Sequence, residues 1–494
     1  MQTSGVPTLS STFQRLRRNT MKMNWLLIVL TALPGLALAA EETGVIPPTP
    51  LDLTRHLIGY LAVAITVLAY VTAMSEEVIE LRKSKPMVLG AALVWFAVCI
   101  HYAMQGEAEI AVKAFESNLL AYAELLLFIL VSMTYLNAME DRGIFDGLRI
   151  WLLNRGYSYR QLFWITGGLA FVISTAVSGL AVGLLMGAVA AAVGKSKPQF
   201  VALSCVNIVV ATNAGGSFSP LGGISTLFVW QAAVVAFQDF LSLALPCLVN
   251  FLVPAAVMHF FVPKETPPVL QRQIVLRRGS KRIVALFAIT LIITVCSDVF
   301  LKLPPAAGMM AGLALLQFFS FYLSRTALEA DGSDRLGEPR PADWLDDREY
   351  DIFQKIGNLE WDTLLFFYGA MMMIGALGFV GYLDAIAQTL FGQINPTLAN
   401  ILIGLSSAFV DNGTLMFAVL SMHPDIPLGQ WLLLTLTLGV GGSLLAIGSA
   451  PGVGLLGQIK GTYTFGYHLR WFPVILLGYF ASIAVHFWVN ARYF

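Results

Sequence analysis

This chain reads as an all-α polytopic membrane protein made of two inverted-topology repeats, each with a re-entrant hairpin and a discontinuous helix. Three observations lead there. Of the 494 residues 57% are hydrophobic and only 12% charged, with a mean hydropathy of +0.73, well outside the range of soluble domains. The apolar residues fall into runs of about twenty, the length that spans the hydrocarbon of a bilayer. Several runs are interrupted in their middle by Gly, Pro, Asn or Asp, and open backbone at that depth is tolerated only where it is buried or lines a cavity. Thirty Lys and Arg balance thirty Asp and Glu, so nothing in the charge points to nucleic acid. Cys99, Cys205, Cys247 and Cys296 sit in apolar segments without metal-ligand or disulfide spacing. There is no nucleophile with a base and no H-E-x-x-H, so neither an enzyme nor a cofactor is expected.

The elements follow from length and from the rule that cytoplasmic loops hold Lys and Arg. Residues 1–40 carry Arg15, Arg17, Arg18 and Lys22, an apolar run and Ala37-Leu38-Ala39, the order of a signal peptide. Residues 41–118 hold a periplasmic segment and two spans, His56 to Met74 inward and Met87 to Met104 outward, around Arg82, Lys83 and Lys85. Residues 119–262 form the first repeat. Leu119 to Met139 runs inward to an amphipathic stretch at Ile150 to Leu153, and Leu162 to Gly194 is too long for one crossing and basic on both flanks, hence a hairpin with its tip at Ser178-Gly179. Phe200 to Phe237 then crosses outward, broken between Asn213 and Gly223 by four glycines and a proline. Leu241 to Phe261 returns. Residues 263–324 give a basic loop and two connecting spans, Ile283 to Leu301 and Ala306 to Leu323, and 325–360 a polar cytoplasmic linker without apolar periodicity. Residues 361–494 form the second repeat: Trp361 to Leu383 outward, a hairpin over Ser406 to Met422, Leu432 to Gly457 inward and broken between Gly441 and Gly452, and Trp471 to Val489 outward. The total is about ten crossings and a pair of hairpins, by span length.

The halves overlay within the sequence itself. Glu124-Leu-Leu-Leu-Phe128 lies on Asp362-Thr-Leu-Leu-Phe366, Gly143 on Gly381 and Asp146 on Asp384. Ser174 to Gly179 lies on Ser407 to Asn412, Gly215-Gly216-Ser217 on Gly441-Gly442-Ser443, and Gly222 on Gly448. Because the charge rule sends the copies through the membrane in opposite senses, they imply a secondary transporter with substrate held between tips and breaks.

Asp411 is the one acid expected at a tip or break. An ionisable residue there costs about 2.5 to 3.5 kcal/mol on insertion scales, which makes it a functional candidate. Asn412, Thr414, Ser406 and Ser407 offer oxygens beside it; Asn213, Ser217, Ser219, Ser225 and Thr226 do so at the first break, and Ser443 and Ser449 at the second. Such a set suits a weakly held hard cation, although helix capping and hydroxyl bonds to backbone account for single members equally well. Glu124 is a candidate for a proton path, or else compensates the helix dipole. The Asp298–Lys302 pair at i, i+4 reads as structural. No metal cofactor site is expected.

The stretches L-L-M-G-A-V-A-A-A-V-G-K at 184–195, N-A-G-G-S-F-S-P at 213–220, W-D-T-L-L-F-F-Y-G at 361–369, V-D-N at 410–412 and G-V-G-G-S-L-L-A-I-G-S-A at 439–450 resemble the NhaD-type sodium/proton antiporters. The resemblance implies exchange of Na⁺ or Li⁺ for H⁺ across an inner membrane by a homodimer; the signal-peptide pattern implies a multi-pass chain whose mature N-terminus is periplasmic. It sets Asn213, Ser225, Thr226, Ser407, Asp411, Asn412, Ser443 and Ser449 at or near the transport site. The chain departs from that pattern at Ser178-Gly179, where the family carries Asp-Asn, at Ala181-Val182, where it carries Thr-Thr, and at Gly223, where it carries an acid. One carboxylate on one side only leads to the expectation of an electroneutral or altered exchanger. A Na⁺-coupled carrier of an anionic solute and a non-transporting sensor or assembly protein are the other readings.

Overall fold

The computed structural model describes residues 51–267, 276–332 and 352–494; the signal peptide expected over 1–40 and part of the expected linker lie outside them. Helices make up the described architecture. In order they are α1 (Leu57–Met74), α2 (Ser84–Met104), α3 (Ala108–Asp141), α4 (Ile144–Asn154), α5 (Tyr159–Ile173), α6 (Gly179–Val193), α7 (Pro198–Gly216), α8 (Ile224–Gln231), α9 (Ala244–His259), α10 (Ser280–Leu301), α11 (Pro305–Gly332), α12 (Trp361–Phe379), α13 (Tyr382–Ala387), α14 (Pro396–Ser406), α15 (Asn412–Ser421), α16 (Leu428–Gly441), α17 (Ala450–Gln458) and α18 (Phe465–Val489). Among the described residues 9 helices are long and apolar enough to cross a membrane. The tenth expected crossing, Leu432 to Gly457, is divided into α16 and α17, each too short alone, because Gly441-Gly442 and Pro451 cannot continue a helix.

The order from α3 to α9 recurs from α12 to α18: long helix, short helix, two helices around a tip, two helices around a break, long helix. The agreement reaches single residues. Gly143 and Gly381, which the sequence overlays, both cap the following short helix with positive φ, +72° and +102°, and Asp146 and Asp384 both occupy its first turn. At the tips Ser174 (φ −66°, ψ −8°) matches Ser407 (φ −66°, ψ −12°), and Ser178 (φ −47°, ψ 127°) matches Asp411 (φ −54°, ψ 131°).

The packing that holds tips against breaks repeats as well. A β-carbon at Gly215 would overlap the Phe171 carbonyl, and one at Gly441 the Gly404 carbonyl, so in each half the end of the helix before the break lies directly on the backbone before the tip. Helices α7 and α16 run through the centre, buried almost all round, while α1 and α10 expose most of their surface as apolar side chains. That arrangement of polar-interrupted centre and greasy rim is the one a bilayer demands.

Three elements differ from expectation. Helix α3 begins at Ala108 rather than Leu119, extended through its polar end by the Glu109–Lys113 ion pair at i, i+4 (2.8 Å). Glu124 therefore lies several turns inside the helix, where dipole compensation does not apply. The linker includes a short helix, Ile352–Gly357, fastened to α3 by Lys355 Nζ on Asp141 Oδ1 (3.0 Å) and Asn137 Nδ2 on the Lys355 carbonyl (3.1 Å). The Asp298 carboxylate accepts from the Trp230 indole (2.9 Å), tying the end of α8 to α10, and Lys302 caps α10 with positive φ.

Candidate functional site

Tips and breaks meet around a cavity of about 140 Å³. Asp411, Asn412, Asn213, Ser225 and Ser449 line it together, as do Ser217, Ser178 and Gly179. Each arrives by a helix end. The Asp411 side chain caps α15: its Oδ2 accepts from the Thr414 amide (3.0 Å) and the Thr414 hydroxyl (3.3 Å). Ser178 starts α6 in the same backbone geometry but makes no side-chain capping bond. Asn213, on the last turn of α7, donates to the Val209 carbonyl (2.8 Å) and across to the Ser449 hydroxyl (3.0 Å), which joins the two discontinuous helices at the cavity wall.

The remaining sequence candidates are placed differently. Thr226 donates to the Gly223 (2.7 Å) and Ser219 (2.9 Å) carbonyls and so closes the first break on itself. Ser407 Oγ donates to the Gly404 carbonyl (2.7 Å) and to Leu438 O of α16 (3.1 Å), and Ser443 Oγ to the Val440 carbonyl (2.7 Å). These three hydroxyls satisfy carbonyls that the broken helices release, and none of them lines the cavity. Ser406 likewise bonds the Ile403 carbonyl (2.7 Å).

Glu124 stands apart from Asp411. It lines a second cavity, of about 530 Å³, with Asn118, Gln231, Asp384 and His423. A third, of about 360 Å³, lies at the opposite end of α3 and is lined by Asn137, Glu140, Arg149 and Glu360. Helix α3 thus passes all three in turn: Asn118 and Glu124, then Phe128 and Ser132 at the Asp411 cavity, then Asn137 and Glu140. The Asp411 and Glu140 cavities share Met133, Ser178 and Leu180 as walls, whereas the Asp411 and Glu124 cavities share none. The Glu124 cavity is walled in part by Phe228 of α8 and Phe417 of α15, ring centroids 5.6 Å apart and nearly buried.

Sequence reasoning missed the wall supplied by α3, since Phe128 and Ser132 look like any apolar span with an occasional hydroxyl. It also missed His468. This side chain is wholly buried on α18, its Nε2 on the Ser443 carbonyl (2.9 Å) and its Nδ1 on the Tyr463 hydroxyl (2.8 Å). His101, His259 and His486 make local hydrogen bonds, to Gln105, Trp164 and Gly429 respectively.

Helices interrupted around a cavity that presents a carboxylate, in a multi-pass membrane chain, define a membrane transporter. The family model described as "Citrate transporter" (CitMHS) matches residues 70–441. The Na(+)/H(+) antiporter NhaD of Halomonas elongata is 50% identical over 450 residues, 90% of this chain and 91% of that protein. The antiporter of the same name from Vibrio cholerae is 49% identical over 482 residues, 95% and 98% of the two chains. More distantly, Sodium/proton antiporter 1 of Arabidopsis thaliana is 27% identical over 443 residues, 86% of this chain and 72% of that one. The chain belongs to the CitMHS family and to the NhaD family of these relatives.

Proposed function

We propose that the protein exchanges Na⁺ (or Li⁺) for H⁺ across the inner membrane by alternating access, with Asp411 as the group that takes cation and proton in turn. The observation that carries this is the Asp411 carboxylate in the cavity where both tips and both breaks converge. An ionised carboxylate ringed by neutral oxygens suits a hard monovalent cation, and a protonated one does not, so one group exchanges one for the other. The names of the relatives near 50% identity support the same reading.

The repeated element order, read with the charge rule, supports inverted repeats with re-entrant tips, a cytoplasmic Glu140–Arg149 cavity and a periplasmic Glu124 vestibule. Glu124 then serves as a proton station at the outer mouth, and Asn213, Ser225, Ser449 and Asn412 as the neutral oxygens about the cation. Thr414 orients Asp411, while Ser407, Thr226 and Ser443 shape the backbone that surrounds it. The periplasmic mature N-terminus and a homodimeric assembly complete the reading.

The family description favours one rival, a carrier of an anionic solute. No Lys or Arg is among the described residues lining the Asp411 cavity, so a polycarboxylate there would face Asp411 without a cationic side chain in the cavity wall to bind it. A non-transporting role has no feature of its own in favour. The test is collapse of a pH gradient in inverted vesicles from an antiporter-deficient host on adding Na⁺, Li⁺ or K⁺. We expect Na⁺ or Li⁺ to give a response that Asp411→Asn abolishes. Silence of the wild type to all three, with insertion verified, overturns the proposal.

A further inference from the structure

The two breaks differ in one respect that the exchange reaction leaves unexplained: the second is fastened by a histidine. The Ser443 carbonyl, freed where α16 ends, can only accept, so His468 Nε2 carries the proton and donates. Nδ1 is then bare and accepts from the Tyr463 hydroxyl. The tautomer is fixed from both ends, and both rings are wholly buried. Tyr463 follows α17, Ser443 precedes it, and His468 is on α18, so one imidazole bridges the segments before and after α17, the second half of the second discontinuous helix.

That helix half begins at the ion cavity. Ser449 stands at the N-cap position of α17 without a side-chain capping bond, lines the cavity and accepts from Asn213 of the other discontinuous helix. Between Ser443 and Ser449 there are few residues and two close approaches of backbone: a β-carbon at Gly448 would meet the Ala408 carbonyl at 2.6 Å and the Gly442 carbonyl at 2.7 Å. A segment so constrained passes a displacement at Ser443 on to Ser449.

We propose that His468 is a positioning residue for the ion site, acting through the Ser443 carbonyl to hold the second break in the shape that sets Ser449 against Asn213. It touches neither ion nor Asp411. The inference rests on the exchange reading above.

The test compares His468→Ala, His468→Gln and Tyr463→Phe with wild type, reading the Na⁺ concentration for half-maximal response separately from the maximal response in inverted vesicles. Loss of a supporting hydrogen bond behind a cation site typically weakens binding by about tenfold or more, so His468→Ala should raise half-saturating Na⁺ by about tenfold with the maximal response little changed. Gln restores a donor for Ser443 and should recover most of the loss. Tyr463→Phe, which keeps the ring volume and leaves Nδ1 unpaired, should fall between. If His468→Ala does not fold, as shown by size-exclusion of the detergent-solubilised protein, Gln and Tyr463→Phe decide. Wild-type half-saturation in Tyr463→Phe, or His468→Gln as impaired as Ala, overturns the inference. A wild type without any Na⁺ response instead overturns the exchange reading and this inference with it.

Discussion

Asp411 commits one carboxylate oxygen, Oδ2, to its own helix, where it accepts from the amide and hydroxyl of Thr414. Those bonds fix the rotamer of a carboxylate that lines the cavity. Ser178, its counterpart, has the same backbone angles and no charge, so the acid is present at one tip only. A carboxylate that alternates between one Na⁺ and one H⁺ carries no net charge across the membrane. We therefore expect a Na⁺ gradient in proteoliposomes to drive ΔpH without generating a membrane potential, and a potential-sensitive dye to stay silent while a pH dye responds. A potential that tracks the Na⁺ gradient would call for a second ionising group, with Glu124 the first to substitute. Asp411 was legible from sequence because an acid between two short apolar segments violates the cost of burial in hydrocarbon. The directions of Ser407, Thr226 and Ser443 were not. A hydroxyl beside a helix break has several released carbonyls within reach, and which one it takes depends on backbone angles that residue identity leaves open.

Elements were legible where their ends are punctuated by residues that permit only one outcome. Both breaks and both tips fall where Gly, Pro and the Asp411-Asn412 pair put them, and the overlay of halves within the sequence sets Ser178 on Asp411 and Gly215 on Gly441. The polar extension of α3 was hidden because charged residues at a span's end serve loop and helix alike. What the glycines contact was also hidden: Gly215 and Gly441 read as helix breakers, whereas each stands where a carbonyl of the preceding tip presses on the helix, Phe171 in one half and Gly404 in the other. Alanine at either position must push that carbonyl away and should destabilise by about 1–3 kcal/mol, the usual cost of overpacking. Thermal unfolding in detergent should show a lowered midpoint for Gly215→Ala and Gly441→Ala. Gly466→Ala on α18, where a β-carbon meets nothing within 4 Å, supplies the comparison and should leave the midpoint in place.

At the scale of the molecule, the cavities give the two sides of the site different access. The Asp411 cavity shares Met133, Ser178 and Leu180 as walls with the Glu140 cavity and no wall with the Glu124 vestibule, which the Phe228–Phe417 pair lines. The repeat supplies a reason. The correspondence that sets Gly222 on Gly448 carries Phe228 to Gly454, and the one that sets Ser178 on Asp411 carries Leu184 to Phe417. The contact between α6 and α17 is accordingly made on a glycine, Gly454, with Leu180 at 2.5 Å and Leu184 at 3.2 Å from the place its β-carbon would occupy, where its relative between α8 and α15 is ring against ring. Two aromatic rings close their side more fully than leucines on a glycine, so we expect the Asp411 cavity to be reached more readily from the Glu140 side. Three single cysteines on α3, in a background without Cys99, Cys205, Cys247 and Cys296, read this directly with a charged, membrane-impermeant thiol reagent. Ser117→Cys reports the Glu124 vestibule, Asn137→Cys the Glu140 cavity and Ser132→Cys the cavity of Asp411. Ser132→Cys should react from the side that labels Asn137→Cys and be slow from the side that labels Ser117→Cys. Adding Phe417→Ala removes one ring of the seal, and labelling of Ser132→Cys from the Ser117 side should then rise by about tenfold, the factor expected when some 1.4 kcal/mol of closure is lost. Equal labelling from both sides in the unmodified pair, or no change on removing the Phe417 ring, would show that the barrier lies elsewhere.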